Sequence, residues 1–184
     1  ESDSNQIPEV LDYWFSEAVS KLWFASTPAL DAEIKQRFES LWADAAEHKL
    51  DSWLASADGC LALCIVLDQL PLNMFRGNSK SFATEQQAVA VTKHAIGEEL
   101  DSEIGDDKVS FLYMPLMHSE ILEDQDLSVA CFAKRNLENN LRFAEHHRGI
   151  IMEFGRFPHR NDILGRKNTV DEIDYLNSKR AFTG

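Results

Sequence analysis

Apolar residues recur along most of this chain at intervals of three and four, the spacing of one face of an α-helix. Val10, Leu11, Trp14 and Phe15 make a first stripe, with Pro8 suited to an opening helical turn. Thr27-Pro28 reads as cap and first residue of a second helix, whose stripe is Leu30, Ile34, Phe38, Leu41, Trp42 and Ala45. A short piece follows around Trp53-Leu54. Residues 58–70 are apolar all round, which predicts the central helix, ended by Pro71, Asn73 and Gly77. Thr84 with Gln87 matches a capping box opening the next helix. Gly105-Asp106 separates it from one starting near Lys108. Ser119 or a neighbour begins another that runs to about Asn139. Leu141 to Phe154 is a further helix, 155–168 is irregular, and Thr169 caps a last helix with Asp171 and Glu172 in its first turn. No stretch alternates with period two, and no hairpin signal appears. The pattern predicts an all-α protein, one domain over residues 1–184, without linker or low-complexity tract. The tryptophans are spaced 9, 19 and 11 apart, which does not fit a 34-residue repeat.

Length and composition agree with that picture. A chain of 184 residues with 44% hydrophobic and 27% charged content can bury a core of its own. The longest unbroken apolar run, Cys60 to Leu67, is far short of a membrane span of roughly 20 residues. The start, Glu1 to Gln6, is polar without a signal-peptide pattern, and the missing initiator Met reads as residues absent upstream. Three cysteines without secreted-type spacing point to a reducing cytoplasm. A net charge of -13 disfavours nucleic acid or an anionic membrane as partner. The charge is uneven, at +2 over 141–184 and -15 over the rest. A local basic cluster on an acidic protein fits a small anionic ligand, or else a set of internal ion pairs.

Several polar residues stand in apolar places. Asp68 and Gln69 end the most apolar helix, and a carboxylate there needs a partner; Arg76, just past the turn, is the natural one. The pair either fixes that turn or lines a cavity. In Tyr113 to Glu120, Pro115 should kink or end the helix, with His118 and Glu120 following at once and Asp124 one turn beyond Glu120 on the same face. A histidine beside carboxylates can act as a general base, or can be a satisfied core histidine. In the 141–154 helix, Phe143, Ile150, Ile151 and Phe154 define the buried stripe, and His147 rather than His146 falls on it. The strongest motif is Phe154-Gly155-Arg156-Phe157-Pro158-His159-Arg160-Asn161, followed by Gly165-Arg166. Glycine and proline fix its path, and arginine forks recognise carboxylate or phosphate. His118, His147 and His159 with Glu120 lack the spacing of a zinc site, so no bound metal is expected; Cys60 and Cys64 read as small core residues. The residues name no cofactor.

The run Leu67 to Gly77, together with Tyr113 to Glu120, Phe154 to Asn161 and Leu164-Gly165-Arg166, resembles the signature of the bacterial family known as domain of unknown function 924. Tyr13-Trp14-Phe15, Leu22-Trp23-Phe24 and Phe82-Ala83-Thr84 match it too, so the resemblance covers essentially the whole chain. It implies a TPR-like fold, antiparallel helices stacked in a right-handed array, and it places the family's histidine at His147. The sequence departs from the pattern at Leu72, where a basic residue often stands, and in its short end after Tyr175; the first reads as a weakened anion site and the second as truncation. The resemblance carries no reaction with it.

Two functions are therefore expected to compete. One is a pocket for a small anionic molecule, bound or processed: His118 or His159 moves a proton, Glu120 or Asp68 orients it, and Arg156, Arg160 and Arg166, with Arg76, His147 and Asn161, bind the ligand. The other is a TPR-like scaffold for a protein or peptide without catalysis. A scaffold should present these residues on an exposed concave face, whereas a small-molecule site should converge them in a closed cleft.

Overall fold

The computed structural model describes residues 6–184, and among these it contains helices and turns and no strand. The polar start ahead of Gln6, with the expectations attached to it, lies outside the described residues. The protein is all-α. Helix α1 (Gln6–Trp14) and the one-turn α2 (Glu17–Ser20) lead into α3 (Pro28–Ala46). α3 begins where Thr27-Pro28 predicts, the Thr27 hydroxyl accepting from the Leu30 N–H at 3.1 Å. All six members of its predicted stripe are buried.

The central helix is α4 (Ala57–Cys64), a π-helical turn over Ile65–Gln69, and α5 (Leu70–Met74) in one continuous rod. This 18-residue stretch is apolar enough to pass for a membrane span, yet 83% of it is buried inside the fold, as a core helix is. Pro71 was expected to end it and does not. Proline at the start of a helical turn lacks only an N–H that need not bond. The Leu70 N–H reaches back five residues to the Ile65 carbonyl, which makes the turn π-helical. The Leu67 carbonyl, left without the N–H that Pro71 lacks, accepts instead from the Thr84 hydroxyl at 2.6 Å. Thr84 in turn accepts from the Trp42 indole N–H at 3.1 Å. This corrects the capping box read at Thr84: its side chain caps nothing, and Gln87 donates to the Ala45 carbonyl at 2.7 Å. Thr84→Val keeps the shape and strands two buried groups. It should cost about 2 kcal/mol in urea unfolding, within the usual penalty for orphaned polar groups.

Helices α6 (Glu85–Gly97), α7 (Val109–His118), α8 (Leu122–Lys134) and α9 (Glu138–Phe154) follow, each packed on the one before it, which is consistent with a TPR-like array. Pro115 sits inside α7, which runs on to His118. The helix expected to continue to Asn139 stops at Lys134. Asn136 has a left-handed φ of 56°, a conformation asparagine tolerates, and α9 restarts at Glu138 rather than Leu141. Phe143, assigned to the buried stripe of α9, is 61% exposed; His147, Ile150 and Ile151 are buried, and Phe154 is half-buried.

The chain then makes a 3₁₀ turn (Pro158–Arg160), α10 (Asn161–Leu164) and α11 (Val170–Leu176). Thr169 and Glu172 complete a capping box on α11. Ile150, Ile151, Phe157 and Tyr175 form a small apolar cluster apart from the main core, with Phe182 packed against it. Between this cluster and the central helix lies a cleft.

Candidate functional site

The cleft has a volume of about 460 Å³ and is lined by Asp68, Arg76, Glu85, His118, His147, His159 and Arg160 among apolar Leu67, Leu72, Phe82, Phe157, Ile163 and Phe182. Asp68 reaches it from the π turn, in a stretch of the central helix that is buried on every side. Asp68 is 5% exposed. Its carboxylate accepts from His118 Nδ1, 2.9 Å from Oδ2 and 3.1 Å from Oδ1, and from the Gln69 amide at 3.0 Å. His118 is the last residue of α7, where the helix dipole favours a cation. Burial alone would push its pKa down, but the charge and hydrogen bond of Asp68 outweigh it and the net direction is up. Among the described residues its Nε2 has no hydrogen-bond partner.

Arg160 crosses the cleft at 5% exposure, its guanidinium between the rings of Phe82 (4.3 Å) and Phe157 (4.8 Å). It donates to Glu85 at 3.0 Å and to the His118 carbonyl at 2.9 Å, while its Nε has no partner. Burial raises the Glu85 carboxyl, and Arg160 tempers the rise. Arg76 sits at the rim, paired with Asp31 at 2.7 Å. The expected Asp68–Arg76 pair is thus replaced by two others, because Asp31 on α3 comes within reach of Arg76 and His118 takes Asp68.

Two further imidazoles face the same space. His147 donates from Nδ1 to the Phe143 carbonyl at 2.7 Å; burial drives its pKa down to about 3, assisted by the His118 charge. His159 is lowered to about 4 by burial and then by Arg160. Both are therefore neutral in the fold and would take a proton near pH 6.5 once unfolded. As pH falls below about 6.5 the unfolded chain binds protons that the fold does not, and stability drops. Between pH 6.5 and 5 the loss should be on the order of a few kcal/mol. His118, with its raised value, contributes fully below pH 6.5 and loses that contribution only as pH climbs through its folded value, so it does not mask the effect. Urea melts across that window should show the decline, and His159→Asn should flatten part of it.

Four predicted site residues are not brought to the cleft. Glu120 accepts from Arg166 at 2.8 and 3.1 Å and from the Phe157 N–H at 2.6 Å. Among the described residues it hydrogen-bonds to no histidine, and Asp124 pairs instead with Lys93 at 2.7 Å and Ser119 at 2.6 Å. Arg166 also donates to Asn161 Oδ1 at 2.8 Å and to the Phe157 carbonyl at 3.1 Å. Arg156 grips Glu172 through two bonds, 2.9 and 2.7 Å, and Asn161 donates to the same carboxylate at 3.3 Å. The Arg156 hydrogen bond is foremost in holding the Glu172 pKa down at about 2. These ion pairs tie the 155–169 segment together, and Arg156, Asn161 and Arg166, expected to bind the ligand, do not line this cleft. In Gly155-Arg156-Phe157-Pro158, Gly155 takes the left-handed φ of 73° that ends α9, and Phe157 anchors the small cluster. Glu85 and Phe182 line the cleft without having been singled out. An acid in a first helical turn and a lone phenylalanine near a chain end carry no signal of their own. Among the described residues no three His, Cys, Asp or Glu side chains are grouped to hold a metal ion.

No curated protein matches the chain. A solved structure described as a protein of unknown function, ATU0120 from Agrobacterium tumefaciens, is similar over 96% of this chain and 99% of its own, with 35% identity and a TM-score of 0.90. The profile of a family described as bacterial protein of unknown function (DUF924) matches residues 10–180. With the profile and the solved relative both spanning nearly all of it, the chain belongs to the bacterial family DUF924.

Proposed function

We propose that the cleft binds a small organic anion and exchanges a proton with it, with His118 supplying both the positive charge and the proton. The observation that carries this reading is the Asp68–His118 pair. A buried carboxylate holds Nδ1, fixes the ring and favours the imidazolium, while Nε2 is left without a protein partner on a residue that lines the cleft. Arg160 adds a second cation whose Nε is unpaired, and Arg76 a third at the rim. His159, kept neutral by burial, lines the same cleft. A scaffold for a peptide would display its distinctive residues on an open face; here Asp68, His147 and Arg160 are all buried, which favours the small-molecule reading over that alternative. Three free, buried cysteines fit a reducing cytoplasm.

Thermal melts with phosphate, citrate or a mixture of organic acids test the proposal, since a ligand of the folded state raises Tm according to its Kd. The wild type should gain Tm with at least one anion, and His118→Gln should lose that gain. Equal gains in both proteins, or none in the wild type, would remove the basis for it.

A further inference from the structure

Part of the cleft wall comes from the last residues of the chain, and the ring of Phe182 sits among histidines. Its centroid lies 4.7 Å from His147, 4.9 Å from His159 and 6.0 Å from His146, all at steep interplanar angles. His147 is itself 6.4 Å from His118. Two residues before Phe182, Arg180 is paired with Glu153 through two bonds, 2.9 and 2.8 Å, and beyond that anchor the segment makes few hydrogen bonds among the described residues. The Phe182 N–H donates to the Tyr175 hydroxyl at 2.9 Å, and neither Thr183 nor Gly184 makes a hydrogen bond among the described residues. Gly184 lies beside the His159 ring. The apolar ring is thus presented to the cleft by a short strap with few attachments of its own.

We propose that Phe182 is an internal occupant of a ring-binding subsite, and that the ligand of the cleft is a small aromatic anion whose ring takes the place of Phe182 when the strap withdraws. This rests on the reading of His118 as the anion-binding group and adds the chemical class of the ligand. A planar ring is what the walls fit, because imidazole faces and edges meet Phe182 on several sides. Burial keeps His147 and His159, the two nearest imidazoles, neutral, so an apolar ring meets no cation on those two sides. The cations, His118 and Arg160, lie together in the same cleft as this subsite, where the anionic substituent of such a ligand would meet them. Phe182 then competes with the ligand, and removing it should tighten binding of aromatic anions alone.

The test compares wild type with Phe182→Ala and with Phe182→Leu, each checked by circular dichroism. Binding of phenyl phosphate, inorganic phosphate, benzoate and acetate is followed through the imidazole resonances of His118. Phenyl phosphate and benzoate should bind Phe182→Ala at least about tenfold more tightly than wild type, a change of roughly 1.4 kcal/mol. Phosphate and acetate should change by less than about twofold, and Phe182→Leu should fall between. If aromatic and simple anions gain equally, or neither gains, the subsite assignment is wrong while anion binding at His118 stands. If no anion moves the His118 resonances in any of the proteins, both readings fall together.

Discussion

Glu120→Ala should destabilise the fold by about 3 kcal/mol, without acting on the cleft directly. The substitution leaves the Arg166 guanidinium without its bidentate partner and the Phe157 N–H without an acceptor. Removing one partner of a fully buried ion pair costs roughly 3–5 kcal/mol. This pair is partly solvated, which lowers that term, but the orphaned N–H adds about 1 kcal/mol or more. The Glu120 carboxyl carries the same information in its pKa. Burial would raise it, yet the Arg166 and Phe157 hydrogen bonds carry it below the ordinary value. Its contribution is therefore present above about pH 4.5 and is lost as pH falls through the folded value. Chemical denaturation at pH 7 should show the full loss for Glu120→Ala, and the difference from wild type should shrink toward pH 3. A variant within 0.5 kcal/mol of wild type, the ordinary range for a surface change, would show that this network does not hold the 155–169 segment.

Asp68→Asn should have the larger effect on the site. Asparagine keeps the size of the side chain and removes the charge. His118 is then left with burial and the Arg160 charge, which lower its pKa, against the weaker raising effect of the Glu85 charge. Its titration, raised in the wild type, should move below the ordinary histidine value of about 6.5, so that at pH 7 the ring is neutral. Anion affinity should fall about tenfold or more, as the loss of a charge-assisted hydrogen bond of roughly 1.5–3 kcal/mol implies. Histidine Cε1 proton resonances followed over pH would read the shift directly. Arg156→Ala provides the contrast. It disturbs the Glu172 pair but does not line the cleft, so anion affinity should stay within about twofold while Tm falls.

What the sequence made legible was local. The α3 stripe and its Thr27-Pro28 start are set by residues within a few positions of one another. His147 is assigned to the interior by its spacing to Phe143 and Ile150, and it is buried although Phe143 itself is exposed. The π turn could not be read in this way, because it depends on Thr84 answering the Leu67 carbonyl 17 residues away. Pairing partners were the least legible feature. Asp31 and Arg76 are 45 positions apart, and Glu85 and Arg160 are 75 apart, so no local pattern joins them. The arginine-rich 154–166 segment shows both limits. Its glycine and proline do constrain the backbone, as expected, but that constraint seats Phe157 in a small core and turns two of the three arginines to carboxylates that do not line the cleft. Only Arg160 reaches it. Asp68 and His118, each picked out as a polar residue in an apolar setting, meet each other across 50 positions, where a nearer partner had been expected for Asp68.

The Asp68–His118 pair is the proposed anion-binding, proton-exchanging centre of the cleft. The most direct measurement is a titration of the His118 imidazole at pH 7 with phosphate, citrate, phenyl phosphate and benzoate in wild type and Asp68→Asn. A saturable shift of the His118 resonance is expected in the wild type with at least one of these anions, together with a raised His118 pKa, and both should be lost in Asp68→Asn. A His118 that titrates at or below about 6.5 in the wild type, with no response to any of the four anions, would contradict the proposal.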